Sequence, residues 1–360
     1  MAVQAQPRRR LPPEIFELPV EKLREGWYTD AYFNHTRATL LADGRHPRVV
    51  MQIFQKRDAY LGGMDEAVAI LKLAADWDAL SVHALYDGDR IEPWETVLTI
   101  EGDYTTFAHL ETPYLGVLAR RTLVTTNVVR VLRAANGKPV IFMAARHDHW
   151  RVQTGDGYAA HVAGEIVGAD VGVTTDEQAS WWGGKGVGTV PHSLIAAYGG
   201  NTVLAASKFA EWAPPDLNIT VLVDFENDSV RTALEVARAL GDRLWGVRLD
   251  TSESLVDRSL LGQLGDFEPT GVNELLVRNV REALDAQGFE RLRIVVSGGF
   301  TVEKIAEFEA KQVPVDAYGV GSSLIRGAND FTADVVLTDG RESAKAGRRF
   351  RPNPRLERVE

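Results

Sequence analysis

The stretch from residue 140 to residue 322 constrains the fold most, because short apolar runs alternate there with amphipathic segments. Each run ends in a polar residue or a glycine. The runs occupy residues 140–144, 166–168, 188–190, 219–224, 245–250, 293–299 and 317–322. Apolar strands separated by helices are typical of a parallel sheet that is buried on both faces. The pattern therefore predicts an α/β fold whose strands close, or nearly close, into a parallel barrel, with a doubly wound open sheet as the alternative.

Helical periodicity fills the gaps between several of these runs. Apolar side chains recur at helical spacing within residues 229–240, 272–286 and 302–311, and Thr301 is placed to cap the last of these segments. A longer helix is predicted over residues 112–135, where an Asn-Gly-Lys-Pro turn follows it. We interpret this long helix as the link between two domains.

The first hundred residues carry a different pattern, in which two strand-like runs at 49–54 and 96–100 accompany one helix at 64–77. The chain returns to a strand pattern at residues 333–337. These elements predict a smaller α/β sandwich domain built from the N-terminal and C-terminal segments. The expected divisions are a flexible tail, the sandwich, and the linking helix with the barrel, at residues 1–13, 14–111 plus 330–360, and 112–329.

Composition narrows the function classes. The chain has 360 residues, a net charge of −10 and no cysteine, so disulfides and thiolate chemistry are excluded. A negative surface disfavours nucleic acid and anionic membranes as partners. No apolar run approaches the roughly 18 residues that a membrane-spanning helix needs. We therefore predict a cytoplasmic protein with small-molecule substrates, without a nucleic-acid or membrane partner.

Functional side chains of a parallel barrel collect at the carboxyl ends of its strands. Two glycine-rich loops, VVSGG at 295–299 and GVGSS at 319–323, follow the last two predicted strands. Glycines let backbone N–H groups approach an anion, so the pair of loops predicts a phosphate site. The candidate residues at the strand ends are Phe142, Arg146, Thr174, Thr175, His192, Asp224, Arg248, Asp250, Ser297, Gly298, Gly299, Gly319, Gly321 and Ser322.

The charged candidates leave alternatives open. Asp224 and Asp250 could hold Mg²⁺ together with ligand phosphate or bind ribose hydroxyls, and they could equally be helix caps or ion-pair members. Arg248 and Asp250 alternate along one strand, so both point to the same face. They could pair with each other, or divide the binding of phosphate and sugar between them. Spacing alone does not decide whether His192 is functional.

Several segments together resemble one family. GTVPHSL (188–194), YTDAYF (28–33) and LETPYLG (110–116) are similar to segments of nicotinate phosphoribosyltransferases, which are type II phosphoribosyltransferases. LVDFEND, VRLDTSES, VVSGGFT and YGVGSSL follow in the order of that family. The resemblance covers about residues 26–345 and implies the irregular α/β barrel of the family with its smaller sandwich domain.

The resemblance also implies a reaction. The family joins nicotinate to 5-phosphoribosyl pyrophosphate, releasing pyrophosphate and forming nicotinate mononucleotide for NAD biosynthesis. ATP hydrolysis is coupled through a transiently phosphorylated histidine, and His192 matches that position. Asp224, Arg248 and Asp250 match residues around the ribose, its pyrophosphate and the metal, so Mg²⁺ is the expected cofactor and ATP the expected co-substrate. The residues that match the loops around the 5′-phosphate are Gly298, Gly299, Gly319 and Gly321.

In the family, the pyridine base lies between two aromatic rings. Phe142 resembles one ring, and Tyr32 resembles the other, which is contributed to the neighbouring subunit, so the resemblance implies a homodimer or higher homo-oligomer with shared active sites. Thr174 and Thr175 match positions near the nicotinate. Two positions depart from the family pattern. Ala145 stands three residues after Phe142, where arginine is usual, and Asn127 follows Thr126, where lysine is usual.

Two other functions remain open at the level of sequence. A related transferase could act on quinolinate or nicotinamide, but the two carboxylates of quinolinate need a cluster of cations. Arg146 and Lys185 are the obvious cations near the base-site segment. A non-catalytic barrel that binds a phosphorylated sugar would keep the glycine loops without requiring His192 or the two aspartates.

Overall fold

A computed structural model describes residues 8–188, 190–263 and 265–360. Residues 1–7 of the predicted tail and Thr189 of the predicted strand 188–190 lie outside the described residues. The chain divides into two compact units. The sandwich unit comprises residues 1–126, 158–166 and 327–360, and the barrel unit comprises residues 127–157 and 167–326. The domain limits expected from the sequence, at residues 112 and 329, stay a prediction.

The strands and helices are numbered in chain order. The strands are β1 Arg48–Phe54, β2 Ala59–Tyr60, β3 Ser81–Ala84, β4 Arg90–Ile91, β5 Thr96–Asp103, β6 Val140–Phe142, β7 Val171–Val173, β8 Ile219–Leu222, β9 Leu244–Leu249, β10 Arg293–Val296, β11 Ala317–Val320, β12 Thr332–Thr338, β13 Arg341–Glu342 and β14 Glu357–Arg358. The helices are α1 Val20–Arg24, α2 Ala31–Ala42, α3 Met64–Ala74, α4 Tyr104–Phe107, α5 Glu111–Ala134, α6 Gln153–Val167, α7 Asp176–Ala179, α8 His192–Ala197, α9 Thr202–Trp212, α10 Ser229–Leu240, α11 Glu274–Asp285 and α12 Val302–Ala310.

The sandwich unit is built on an antiparallel sheet in the order β13-β12-β1-β5-β3-β14. β12 and β14 come from the C-terminal segment, so both ends of the chain contribute to this sheet, as predicted. Met51, Ile53 and Ile100 are buried in one core with Leu71 of α3. Burial of such side chains removes apolar surface from water and stabilises the layer of helix on sheet.

The described part of the predicted tail contacts the sandwich unit. Arg10 lies 2.8 Å from a carboxylate oxygen of Asp65 and also donates to the carbonyl oxygen of Leu85 at 2.9 Å. Arg8 lies 2.7 Å from a carboxylate oxygen of Asp89. These contacts hold residues 8–10 against the surface of the unit.

The barrel unit contains a parallel sheet in the order β7-β6-β11-β10-β9-β8. One short segment joins its two edges. The amide of Val187 donates to the carbonyl of Val173 in β7 at 2.7 Å, and the amide of Val190 donates to the carbonyl of Thr220 in β8 at 3.0 Å. The strands therefore follow one another around a ring, and the predicted irregular parallel barrel with a smaller sandwich is confirmed.

The three helices predicted between the barrel strands are present as α10, α11 and α12, whereas α6 to α9 were not predicted. α10 has the predicted bounds and buries Ala233, Val236 and Ala237. The hydroxyl of Thr301 accepts a hydrogen bond from the amide of Lys304 at 3.3 Å and caps α12 as predicted. Among the described residues, no helix is long and apolar enough to cross a membrane. The cytoplasmic location stays a prediction.

One strand prediction is wrong. Residues 166 and 167 are the last residues of α6, and Gly168, with φ of +74°, follows the helix. The strand is β7, which begins three residues later. β7 has three residues, Val-Gly-Val, which is too short to show a period, whereas Ile166 and Val167 continue the apolar pattern of the helix.

Candidate active site

His192 and Asp224 form a pair at one end of the barrel unit. His192 is the first residue of α8, just beyond the ring-closing segment, and Asp224 follows β8. The Nε2 atom of His192 lies 3.1 and 3.2 Å from the two carboxylate oxygens of Asp224. The carboxyl side chain is 6% exposed and the imidazole 42% exposed. The hydrogen bond to Asp224 raises the pKa of His192, and partial burial opposes that rise.

Arg248, Asp250 and Ser297 form a hydrogen-bonded network across the neighbouring strands β9 and β10. The Ser297 hydroxyl accepts from Nε of Arg248 at 2.7 Å and donates to Oδ1 of Asp250 at 2.7 Å. The guanidinium of Arg248 lies 3.3 Å from Oδ2 of Asp250. Arg248 and Asp250 are two residues apart in an extended chain, which explains why both reach the same hydroxyl. Of the two arrangements that the sequence allows, they are paired here, and both remain partly accessible.

The first glycine loop needs its glycines for conformation. Gly298 and Gly299 have φ of +82° and +69°, a left-handed backbone that other residues rarely adopt. Each of them also faces a carboxylate. A Cβ atom on Gly298 would lie 3.3 Å from Oδ1 of Asp250, and a Cβ atom on Gly299 would overlap the carboxylate of Glu253. Sequence reasoning missed Glu253, because its place depends on the path of the loop after β9.

The second glycine loop needs its glycines for room. Gly319 lies in β11, and a Cβ atom there would lie 2.7 Å from Sδ of Met143. A Cβ atom on Gly321 would lie 2.8 Å from Nε2 of His147. Ser322 begins the short turn Ser322–Leu324 that follows. The loop is thus closely covered by side chains that come from the segment after β6.

Asn127 supports the second loop from α5. Its side-chain amide donates to the carbonyl oxygens of Leu324 and Arg326, at 3.1 and 3.0 Å. This is the position where the family usually has lysine. In this chain Asn127 holds the backbone that follows the glycine loop. A lysine at this position would have a single ammonium group, in place of the amide, for these carbonyl oxygens.

Phe142 and Met143, two adjacent residues at the end of β6, have different surroundings. Phe142 is 1% exposed and belongs to the core. Met143 is half-buried, and its thioether lies beside Gly319, which in turn borders Ser297. Arg146 is exposed in the turn Ala145–His147, three residues after Met143. The stacking role of Phe142 stays a prediction.

Thr174 and Thr175 have structural contacts at the start of α7. The hydroxyl of Thr175 accepts from the amide of Gln178 at 3.1 Å and lies 3.0 Å from Oε1 of Gln153. The side chain of Gln178 accepts from the amides of both threonines, at 2.9 and 3.2 Å. This is a capping box, which accounts for the residue types without a ligand. Their contact with nicotinate stays a prediction.

Tyr32 belongs to the sandwich unit. It lies in the first turn of α2 with 60% of its surface exposed. The preceding Asp30 contacts Thr112, whose hydroxyl donates to the aspartate carboxylate at 2.9 Å and accepts from the aspartate amide at 3.0 Å. The motifs YTDAYF and LETPYLG therefore meet within this unit. Burial raises the pKa of Glu111, beside this contact, to about 8.

The aspartates offer a partial metal site. The described residues contain no group of three or more His, Asp or Glu side chains that could hold a metal ion by themselves. Mg²⁺ is commonly held by one or two carboxylates together with substrate phosphates. Asp224 and Asp250 fit that kind of donor set, because each presents a carboxylate at the end of a neighbouring strand of the same sheet.

Comparisons with known proteins agree on one family. Residues 30–122 match the family profile of the quinolinate phosphoribosyl transferase N-terminal domain. The crystal structure of nicotinate-nucleotide pyrophosphorylase from Pyrococcus furiosus is 32% identical, with a TM-score of 0.77, over 92% of this chain and 80% of that chain. The chain belongs to the type II phosphoribosyltransferase family. Human nicotinic acid phosphoribosyltransferase, at 17% identity with a TM-score of 0.63 over 88% of this chain and 76% of that chain, shares the fold.

Curated relatives in the type II family carry nicotinate phosphoribosyltransferase names. One from Mycobacterium tuberculosis is 32% identical over 255 residues, which are 69% of this chain and 51% of the relative. One from Bacillus subtilis is 22% identical over 332 residues, which are 83% of this chain and 63% of the relative. The chain thus spans about half the length of the mycobacterial relatives that it matches.

Proposed function

We propose that this chain is a nicotinate phosphoribosyltransferase that forms nicotinate mononucleotide and pyrophosphate from nicotinate and 5-phosphoribosyl pyrophosphate. The observation that carries the proposal is the Arg248–Ser297–Asp250 network beside the first glycine loop. It combines a cation, a carboxylate and a backbone loop suited to phosphate. The names of the curated relatives support nicotinate as the base.

The mechanism follows from where charge develops. Breaking the bond between C1 of the ribose and pyrophosphate leaves a cationic sugar and a strongly anionic leaving group, and the pyridine nitrogen of nicotinate forms the new bond to C1. Arg248 binds phosphate oxygens, and Asp250 accepts hydrogen bonds from ribose hydroxyls and faces the cationic sugar. The Ser297 hydroxyl fixes both side chains before the substrate arrives. Asp224 and Asp250 would hold Mg²⁺, which would further neutralise the pyrophosphate.

His192 couples ATP hydrolysis to transfer in this proposal. Asp224 orients the imidazole through Nε2, so Nδ1 is the ring nitrogen not used in that contact. His192→Ala is expected to abolish stimulation by ATP and to leave slow transfer of the phosphoribosyl group. Steady-state rates with and without ATP test this role. Full stimulation of the variant by ATP would exclude it.

The pyridine substrate is tested directly. The protein is incubated with 5-phosphoribosyl pyrophosphate and Mg²⁺, and with nicotinate, quinolinate or nicotinamide, and the mononucleotide product is measured. We expect nicotinate to be preferred, because the curated relatives carry nicotinate phosphoribosyltransferase names and because Arg146 and Lys185, the obvious cations near the base-site segment, are both exposed. Preferred turnover of quinolinate would overturn this choice of base. Binding of ribose 5-phosphate without turnover of any base would favour the phosphosugar-binding barrel.

We also propose a homodimer in which Tyr32 completes the site of the partner subunit. Its exposed ring suits a flat pyridine. Inactive variants Tyr32→Ala and Asp250→Asn would then restore activity when mixed, because one site of a mixed dimer carries both native residues. Light scattering gives the oligomeric state. A monomer, or mixtures that stay inactive after subunit exchange, would contradict the shared site.

A further inference from the structure

Glu253 stands in an unusual place for an acidic residue. Its carboxylate lies against Gly299, where a Cβ atom would overlap it, in the loop predicted to hold the 5′-phosphate. The neighbouring Gly298 faces Asp250 instead. The two glycines therefore separate two carboxylates, one of which belongs to the Arg248–Ser297–Asp250 network. Glu253 belongs to no part of that network.

Glu253 can leave this place without unfolding its surroundings. The residue is exposed, in the segment between β9 and α11. The backbone of this segment is tied down nearby, since the amide of Gly271 donates to the carbonyl of Leu255 at 2.9 Å. A glutamate side chain on an anchored backbone can change rotamer and remove its carboxylate from Gly299.

Lys304 provides a cation near the same glycine loop. It lies in the first turn of α12, and helical side chains point back toward the N-terminus of their helix, which here is the end that carries the glycine loop. Its ammonium group lies 4.6 Å from the centre of the buried Phe300 ring. Burial lowers the pKa of Lys304, and the charge of Glu253 opposes that shift. A half-buried ammonium group gains from an anion in front of it.

We propose that Glu253 is an internal competitor that occupies the phosphate position against Gly299, in the field of the nearby Lys304, until a phosphate group displaces it. The inference rests on the proposed function and adds to it a competing carboxylate, Glu253, and a phosphate-binding cation, Lys304. A phosphate dianion brings more charge and more acceptor oxygens than a carboxylate, so it displaces Glu253 from Gly299 and gains the attraction of Lys304. Displacement removes part of the binding free energy, and the affinity for phosphoribosyl compounds is lower than the loop alone would give.

The test measures binding of ribose 5-phosphate by calorimetry, without any pyridine base. Glu253→Gln removes the charge and keeps the shape, and Glu253→Ala removes both. Both variants are expected to bind about threefold to tenfold more tightly than the native protein, the size of one partly exposed charge interaction. Lys304→Gln is expected to bind about tenfold more weakly, as for loss of one charge-assisted contact. In the double variant Glu253→Gln with Lys304→Gln, the gain from the glutamate change disappears.

Matched controls lie close by in the chain. Glu268→Gln makes the same charge change in the same segment, and Lys311→Gln makes it just beyond the end of α12. Neither should alter the affinity more than twofold, as expected for exposed charges. Unchanged or weaker binding in both Glu253 variants would overturn the competitor role. Weaker binding only when Mg²⁺ is present would identify Glu253 as a metal ligand and overturn it too.

Failure of the proposed function would look different. Tighter binding of ribose 5-phosphate in the Glu253 variants, with no turnover of nicotinate by any form, would support the competitor and refute the transferase. If turnover is present, the KM for 5-phosphoribosyl pyrophosphate should fall in Glu253→Gln while kcat stays within about twofold, because the change acts on ground-state binding.

Discussion

The two glycine loops of the barrel unit use the same residue for different reasons. In the first loop, Gly298 and Gly299 adopt a left-handed backbone and face carboxylates. In the second, Gly319 and Gly321 have no such backbone and face the side chains of Met143 and His147. Glycine supplies conformation in one loop and space in the other. Similar glycine patterns in a sequence thus correspond to two different physical constraints, which substitutions can separate.

The largest expected difference between the two loops is the loss of catalytic activity when the side chains that they face are changed. Asp250→Asn should lower kcat/KM for phosphoribosyl transfer by about a hundredfold to a thousandfold, because it removes charge opposite the developing cation. His147→Gln, beside the second loop, should lower it by less than about tenfold, since it alters one hydrogen-bonding group. Asp242→Asn, at a fully exposed carboxylate, serves as the control. Equal losses in the first two variants would contradict the comparison.

Because Gly298 is needed for its left-handed backbone, replacing it should cost stability that a change in a neighbouring side chain cannot restore. Gly298→Ala should lower the free energy of unfolding by about 1–2 kcal/mol, because alanine resists the left-handed region. Adding Asp250→Ala should recover none of this loss. Gly116→Ala provides the opposite control, since this glycine lies within α5 with open space around it and should gain about 0.5–1 kcal/mol. Denaturant unfolding measures all of these variants, and recovery in the double variant would show that crowding is the cause.

Because Gly319 is needed for the space it leaves, replacing it should cost stability that a smaller neighbouring side chain restores. Gly319→Ala should cost about 1–3 kcal/mol of stability by overpacking against the thioether of Met143. Adding Met143→Ala should make the pair more stable than the sum of the single changes by at least about 0.5 kcal/mol. Gly246→Ala is the matched control. Its Cβ would meet the backbone carbonyl of Arg293 at 2.6 Å, and a side-chain substitution does not remove a backbone carbonyl. Strict additivity of Gly319→Ala and Met143→Ala would refute the assignment.

The smallest effect concerns a third strand end, where Asp224 faces an imidazole instead of a loop. Asp224 raises the pKa of His192, so the pair stabilises the fold at pH values below the unfolded pKa of about 6.5. That stability is lost as the pH rises through the higher folded pKa. It should stay well below ~1 kcal/mol, since the imidazole is partly exposed.

Asp224→Asn should lower the pKa of His192, as measured by NMR titration of the imidazole. In a His192→Gln background the same change should leave the pH dependence of unfolding unaltered over this range. An unchanged His192 pKa in Asp224→Asn would show that the hydrogen bond does not control protonation.

Elements with a strong period could be predicted from the sequence, and elements without one could not. α10 and α12 follow from apolar spacing, and Thr301 marks the start of α12. β7 escaped prediction because three residues carry no period and the adjoining helix ends in apolar residues. Tertiary pairing with β6 makes this segment a strand.

The site divides in a similar way. His192, Asp224, Arg248, Asp250 and Ser297 stand at predicted strand ends, and the structure joins them in two hydrogen-bonded groups. Met143, His147 and Glu253 were not found, because their places depend on the face of β6 and on the path of loops. The local sequence pattern marks where strands end, but it does not show which face of a strand a residue occupies or which path a loop takes.

The segment from Val187 to Val190 has a consequence for motion. It is joined to β7 through the Val187 amide and to β8 through the Val190 amide, while β9 pairs along several residues on both sides. The isolated bridge that pairs Val190 with Val221 of β8 therefore opens at lower free energy than strands that pair along several residues. His192 lies two residues after Val190, so transient release there would move the imidazole away from the Asp224 carboxylate. Hydrogen exchange at the Val190 amide would measure the rate of this opening, which can be compared with the rate of turnover.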